Sequence, residues 1–485
     1  MNAPAVRQIN WRNRAAVALL TLAYLALVLF PVALAAAAGL PRRPLLDELS
    51  SGLAMAGFTI LLVEFFLSGR YRAVSTPLGL DVTIRYHQLL SYAAVAFLIL
   101  HPALYTLPVK ELPTDYTRAE TISLTPTGTV TGLVAWALLL LLPAFATFRD
   151  QPNWRYETWR LTHGFGAAAL AVAGAWHAVE GGRYSAFSPA LEAFWIVAAA
   201  FALAALTTIY LVRPILHRRR PYRVAATGRA AERTWRLVLE PAGRGRLRFD
   251  AGQSMWLKVG RSVGRIADYP FSIASTPGRG PALEFLIKEE GDFSSGVGHL
   301  ANGTPVYIDG PYGNFTLRGR AAEGFLLVAG GIGIAPILSL LRELADRGDR
   351  RSVLLVYGNR TEAQICARDE LEALKQRLDL RVEHVLAEPP AGWQGREGLV
   401  TREMLDELLP REGRARWLSF ICGPPAMIDS VEICLGELGL PLRQVVSERF
   451  RYDTRRLTPR EKLITGATWA AAAVFALAAL AFALR

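Results

Sequence analysis

Cysteine is nearly absent from this 485-residue sequence: only Cys366, Cys422 and Cys434 occur, and no two of them form a C-x-x-C pair. An iron–sulfur cluster held by four thiolates is therefore excluded within the chain, and a disulfide framework is not expected. Histidine is scarce too, with seven in all, and charged residues make up only 20% of the sequence against a hydrophobic share of 52%. The formal net charge is +12. No basic face with interleaved aromatics accompanies that excess, which argues against nucleic acid as a partner.

What the sequence has instead is long apolar runs, and its mean hydropathy is +0.24. Six runs fill the first half, near 15–38, 52–68, 87–106, 127–147, 161–179 and 191–214. A bilayer span needs about 20 apolar residues, so each predicts a transmembrane helix; the fifth is the weakest, with Ala and Gly in place of Leu. The first is too long for the h-region of a signal peptide. A further run near 464–484 reads as a seventh span or as a buried or interfacial helix. Arginines mark one side of these segments: Arg7, Arg12 and Arg14, then Arg70, Arg72 and Arg85, then Arg149, Arg155 and Arg160, then the stretch from Arg213 to Arg220. The other side has only Arg42, Arg43, Lys110, Arg118 and Arg183. The positive-inside bias predicts that the N-terminus and everything after residue 214 are cytoplasmic; the expected location is a bacterial plasma membrane.

Residues 221–320 carry short alternating runs such as "TWRLVLE" and "ALEFLIK", punctuated by Gly and Pro, which predict an antiparallel β-barrel. Residues 321–450 alternate strands with helices. "FLLVAG" precedes "APILSLLRELADRG", and "RWLSFICG" precedes "AMIDSVEICLGELG". That succession predicts an α/β domain on a mostly parallel sheet. The expected organisation is a transmembrane helical bundle over 1–220, a β-barrel over 221–320, an α/β domain over 321–450 and a C-terminal helix within 451–485.

Four histidines lie in the apolar runs. His87 and His101 are fourteen residues apart in the third, and His163 and His177 are fourteen apart in the fifth. That spacing puts each pair on one helix face, ~21 Å apart along the axis. The third and fifth segments run parallel, so His87 faces His163 on the cytoplasmic side and His101 faces His177 on the outer side. Two facing imidazoles complete the axial positions of a haem iron, and the pattern predicts two b-type haems. The competing reading makes these histidines a polar network or proton path of a transporter.

Several motifs follow in the soluble half. Tyr269-Pro270-Phe271-Ser272-Ile273-Ala274-Ser275 is a short strand with aromatic and hydroxyl side chains. Lys288 to Ser295 reads "KEEGDFSS". Gly330-Gly331-Ile332-Gly333-Ile334-Ala335-Pro336 follows an apolar strand and opens a helix, the arrangement in which a helix N-terminus faces a dinucleotide pyrophosphate. Cys422-Gly423-Pro424-Pro425 and Glu448-Arg449-Phe450 come later. Together with the helices and the histidine spacing, these segments resemble the ferric reductase and NADPH oxidase superfamily over roughly residues 50–450.

The resemblance implies a ferredoxin–NADP+ reductase-like module. In it Phe271 packs on the isoalloxazine of FAD and Ser272 hydrogen-bonds near N5. Gly291, Phe293, Ser294 and Ser295 wrap the diphosphate. Gly330, Gly331, Gly333 and Pro336 take the nicotinamide coenzyme, and Cys422, Gly423 and Pro424 lie beneath the nicotinamide. Phe450 serves as a displaceable gate. Tyr269 stands where the family carries Arg or His, so Lys288 or Arg265 is expected to supply the missing charge. No acid follows "SVLLVYG", and Arg360 and Arg368 could meet a 2′-phosphate, which leans the coenzyme toward NADPH. The implied activity carries electrons from cytoplasmic NAD(P)H through FAD and two haems to an acceptor across the bilayer. A ferric chelate ranks ahead of dioxygen or a quinone. A haem-containing redox sensor or subunit is the non-enzymatic alternative.

Overall fold

The computed structural model describes residues 11–107, 125–147, 156–217, 221–243, 247–260, 268–449 and 458–485. They fall into two compact units. One comprises Ala15–Val74, Val82–Arg213 and Ile464–Arg485; the other is built on Ser75–Asp81 and Pro214–Leu463.

The first unit is helical. Its long helices are Trp11–Ala37, Leu45–Val63, Leu80–Thr106, Pro126–Thr147, Tyr156–Glu180 and Pro189–Thr207, with a C-terminal helix at Pro459–Leu484. Among the described residues, six helices are long and apolar enough to cross a membrane, including Pro459–Leu484. Tyr156–Glu180 is as long but is diluted by Ala, Gly and two histidines, the weakness visible in its sequence. Large apolar side chains point outward, Leu19, Phe165 and Phe201 each more than 60% exposed. A water-facing surface rarely carries so much contiguous apolar area, whereas a lipid-facing one must. The C-terminal helix packs into this bundle: a Cβ added at Gly52 would lie 2.9 Å from Cα of Ala479, and Phe475 is fully buried.

The second helix begins seven residues before the apolar run at 52–68 does. Asp47 and Glu48 occupy its first turn, where carboxylates favour a helix N-terminus. Both are buried. Glu48 accepts hydrogen bonds from the Arg43 backbone N–H at 3.0 Å, from Arg183 at 3.4 Å and from the Tyr184 hydroxyl. The Glu48 charge is thus matched inside the unit, which a scan for apolar residues does not reveal.

The second unit contains two sheets. In the first, β1 (Tyr222–Ala231), β2 (Thr234–Pro241), β3 (Ser254–Val259), β4 (Tyr269–Ser272), β5 (Leu283–Lys288) and β6 (Pro305–Tyr312) lie in the order β4-β3-β6-β1-β2-β5, all antiparallel. A bridge from Ile273 to Phe285 joins its two edges, so the sheet curls into a barrel around Leu237, Leu257, Phe285 and Val306.

The other sheet is wholly parallel. Its strands β7 (Gly324–Gly330), β8 (Ser352–Asn359), β9 (Leu380–Leu386), β10 (Arg396–Glu397), β11 (Leu418–Cys422) and β12 (Val445–Glu448) lie in the order β10-β9-β8-β7-β11-β12. Helices cover both faces, which is why β7 is buried along its whole length. The strand order reverses between β7 and β11. In open α/β sheets ligands bind outside the carboxyl ends of strands at such a switch point.

Candidate functional site

In the helical unit, the rings of His101 and His177 lie 6.2 Å apart between centroids, inclined by 61°. A metal–imidazole bond of about 2 Å on each side plus two ring radii spans roughly 6 Å, so the separation has the size for one metal ion. Each Nδ1 is already engaged. His101 Nδ1 meets the Ser50 hydroxyl at 2.8 Å, and His177 Nδ1 meets the Gly128 carbonyl at 2.9 Å. Such contacts orient a ring and leave Nε2 for a ligand. Gly132 makes space beside the pair, since a Cβ there would lie 2.9 Å from Cε1 of His177. Glu64 holds His87 Nδ1 at 2.7 Å, and His163 stacks on Trp159 with ring centroids 5.5 Å apart. Among the described residues no group of three or more His, Cys, Asp or Glu side chains comes together to hold a metal ion.

Gly166 and Gly174 serve helix packing. A Cβ at Gly166 would meet Leu142 at 2.7 Å and one at Gly174 would meet Phe58 at 2.4 Å. Neither opens space for a flat group.

In the other unit the two glycine segments meet at the switch point, although about ninety residues separate them in sequence. Cys422 pairs with Ala329 in parallel register. A Cβ at Gly333 would lie 2.0 Å from the Cys422 carbonyl oxygen, and one at Gly423 would lie 3.0 Å from the Gly330 backbone. Only glycine allows the two turns to touch. Gly331 takes φ +52° and faces open space, so its backbone is accessible. Gly330's missing side chain leaves room for Pro424 and Met427, and the helix Ile334–Asp346, with Pro336 in its first turn, starts directly after Gly333.

The flavin-type strand β4 places Ser272, 4% exposed, with its hydroxyl 3.4 Å from a Glu448 carboxylate oxygen. Glu448 in turn pairs in register with Cys422. Three strands thus bring Ser272, Cys422 and Glu448 to one place. Phe450, the third expected catalytic residue, lies outside the described residues, as does Arg265. Burial drives the Cys422 thiol well above the ordinary range, so it is a neutral side chain rather than a thiolate. Burial, with help from the Asp81 carboxylate, pushes the Glu448 carboxyl up to about 8. Sequence reading passed over Glu448 because it took only the aromatic in Glu448-Arg449-Phe450 for function. Arg449 faces away, into buried ion pairs with Asp429 and Glu432.

Glu448 sets a sign for pH dependence. The folded chain keeps a proton that the unfolded chain loses near 4.5, so this stabilisation is complete below that value and is lost as pH rises through about 8. Glu448→Gln is therefore expected to melt higher than the parent by a margin that grows between these values and levels off above them. Thermal melts of the flavin-loaded protein at a series of pH values check this; a margin independent of pH would show that Glu448 is not held protonated.

The remaining flavin candidates divide. Phe293 stacks on Tyr269 at 4.1 Å and lies 5.9 Å from Phe271, an aromatic cluster beside Pro270. Ser294 builds the turn itself, accepting from the N–H groups of Glu290 and Gly291. Ser275 accepts the Glu284 N–H. Lys288 pairs with Glu290 at 3.1 Å, while Gly291 and Ser295 are exposed. Arg360 lies 3.2 Å from Glu388, and Arg368 lies 2.7 Å from Glu362.

Comparison with known proteins matches residues 53–174 to the ferric reductase like transmembrane component and residues 327–432 to the oxidoreductase NAD-binding domain. The first match contains His87, His101 and His163 and ends just short of His177. The NADH-cytochrome b5 reductase 1 of Laccaria bicolor is 34% identical over 184 residues, 37% of this chain and 59% of that protein. The protein of the same name from Candida albicans is 33% identical over 214 residues, 43% of this chain and 72% of that protein. A solved structure of the CS-b5R domains of human Ncb5or is 27% identical with a TM-score of 0.42, covering 47% of this chain and 67% of that one. The chain thus spans 59% of the length of the Laccaria relative.

Proposed function

We propose, from the premise that this chain belongs to the ferric reductase and NADPH oxidase superfamily, that it is a flavocytochrome oxidoreductase carrying electrons from cytoplasmic NAD(P)H, through FAD and two b-type haems, to an acceptor on the far side of a membrane. The observation that carries this reading is the His101–His177 pair at 6.2 Å in a chain that also builds a dinucleotide-type switch point. When bound, the flavin supplies hydride acceptance and single-electron release, and the haems supply single-electron transfer.

The chain's own residues have separable tasks. The Gly330–Gly333 turn offers backbone N–H groups at a helix start to a pyrophosphate. Ser272 and Glu448 flank the place of hydride arrival, with Glu448 protonated at neutral pH. Tyr269, Phe271 and Phe293 form the aromatic wall for the flavin. His87 with His163, and His101 with His177, would hold the two haem irons.

Two finer points follow from geometry. Arg360 and Arg368 each have a carboxylate beside them, and Glu388 in particular would repel a 2′-phosphate while accepting a ribose 2′-hydroxyl. These carboxylates favour NADH over NADPH. Glu388→Ala is expected to shift the NADPH-to-NADH ratio of kcat/KM toward NADPH by about tenfold, the scale of one lost charged hydrogen bond; an unchanged ratio places the selectivity elsewhere. On the acceptor side, Arg43, Arg183 and Arg485 gather around Glu48 and Tyr184, and Arg43 continues through Ser51 to Tyr105, whose ring is 5.2 Å from His101. Three guanidinium groups suit an anionic acceptor such as a ferric chelate.

The deciding experiment supplies NADH to the cytoplasmic face of proteoliposomes and measures ferrous product, superoxide and quinol. A purified chain without a bis-imidazole Soret spectrum would sink the haem reading. Flavin-loaded protein whose haems stay oxidised under NADH would favour a sensor or subunit.

A further inference from the structure

The four helical histidines have different partners at Nδ1. His101 has the Ser50 hydroxyl and carbonyl, and His177 has the Gly128 carbonyl, all neutral groups. His163 Nδ1 has no hydrogen-bond partner among the described residues. His87 alone of the four is held by a carboxylate, Glu64 Oε2 at 2.7 Å. The Glu64 side chain is 4% exposed, and its other oxygen lies 3.4 Å from the Tyr24 hydroxyl, which fixes the carboxylate plane. Glu64 is the single charged residue in the apolar run 52–68. An acid inside a span is costly and calls for a function.

We propose that Glu64 is a positioning residue that makes the inner haem the harder of the two to reduce. This rests on the reading that the histidine pairs hold haems. A carboxylate accepting from Nδ1–H draws the proton toward itself and gives the imidazole imidazolate character. A more basic ligand, with a negative charge close by in a medium of low dielectric, favours ferric over ferrous iron. The outer pair lacks that push because its Nδ1 contacts are neutral. One electron passing from the inner to the outer site, with no proton transferred and no bond changed, then moves downhill and does not return. The asymmetry makes the wire directional without any moving part.

The test uses the full chain in detergent or nanodiscs, with haem counted first and midpoint potentials then read by spectroelectrochemistry. Glu64→Gln keeps the shape and a hydrogen-bond acceptor but removes the charge. It is expected to retain two haems and to raise the lower midpoint by at least tenfold in the reduction equilibrium, about 59 mV for one electron, leaving the other unmoved. In the His101→Ala background, where only the inner haem remains, the same shift should appear as a single displaced wave. Should Glu64→Gln lose the inner haem, Glu64→Asp is expected to keep it at or below the parent potential. Two haems with unmoved midpoints in Glu64→Gln, or a shift confined to the higher-potential haem, overturns the proposal. A parent protein without haem instead refutes the haem reading on which the proposal stands.

Discussion

His101→Ala is expected to halve the haem content, from two per chain to one, and to abolish electron delivery to an external acceptor while the remaining haem is still reduced by NADH. The reason is geometric: His101 is half of the 6.2 Å pair with His177, and the other pair shares no residue with it. The fold should survive. The Ser50 hydroxyl also reaches the backbone carbonyl of residue 101 at 2.7 Å, a bond that alanine retains, so the loss is on the order of 1 kcal/mol for the side-chain hydrogen bond. Pyridine haemochrome assay against protein concentration checks the stoichiometry. Retention of both haems would remove His101 from the ligand set, and loss of both would break the assignment of two independent levels.

The second large effect lies at the switch point. Gly333→Ala places a Cβ 2.0 Å from the Cys422 carbonyl oxygen, a backbone atom that cannot rotate away. Relief requires β7 and β11 to part at the carboxyl ends, where the coenzyme is expected to sit. A displacement of about 1 Å at a reacting site costs on the order of 10²-fold, so kcat/KM for NADH should fall by at least that factor with flavin and haem retained. Gly331→Ala is the control. Gly331 holds φ +52° but faces open space, so alanine meets only the backbone cost of ~1–2 kcal/mol and a correspondingly smaller loss. Steady-state kinetics on both variants, with flavin fluorescence and the Soret band as integrity checks, separates the two. Equal losses would mean that the contact between the glycine turns is not what positions the coenzyme.

Much of the architecture was legible because local patterns report directly on burial. The apolar runs announced the helices, the period-two runs announced the antiparallel strands, and "FLLVAG" before a helix announced a strand of a parallel sheet, as β7 is. Where charges entered a helix the apolar pattern stopped short: Glu48 lies before the run at 52–68, and one of its partners, Arg183, comes 135 residues later. The same blindness hid Glu64, an acid in a span whose partner His87 comes 23 residues later, and Glu448, whose neighbour Ser272 is 176 residues away. What fills the gap that Gly166 or Gly174 leaves, Leu142 and Phe58 respectively, is visible only from the neighbouring helix.

The sequence by itself determined the order of parts, the helix spacing of His87 with His101 and His163 with His177, and the two glycine turns, because periodicity and backbone freedom are properties of short stretches of chain. Only the tertiary structure decided which nitrogen meets which oxygen. The 6.2 Å gap between His101 and His177, the carboxylate on His87 and the contact of Gly333 with Cys422 all arise where segments remote in sequence are forced together by burial. Pair distances of that kind are set by packing rather than by propensity.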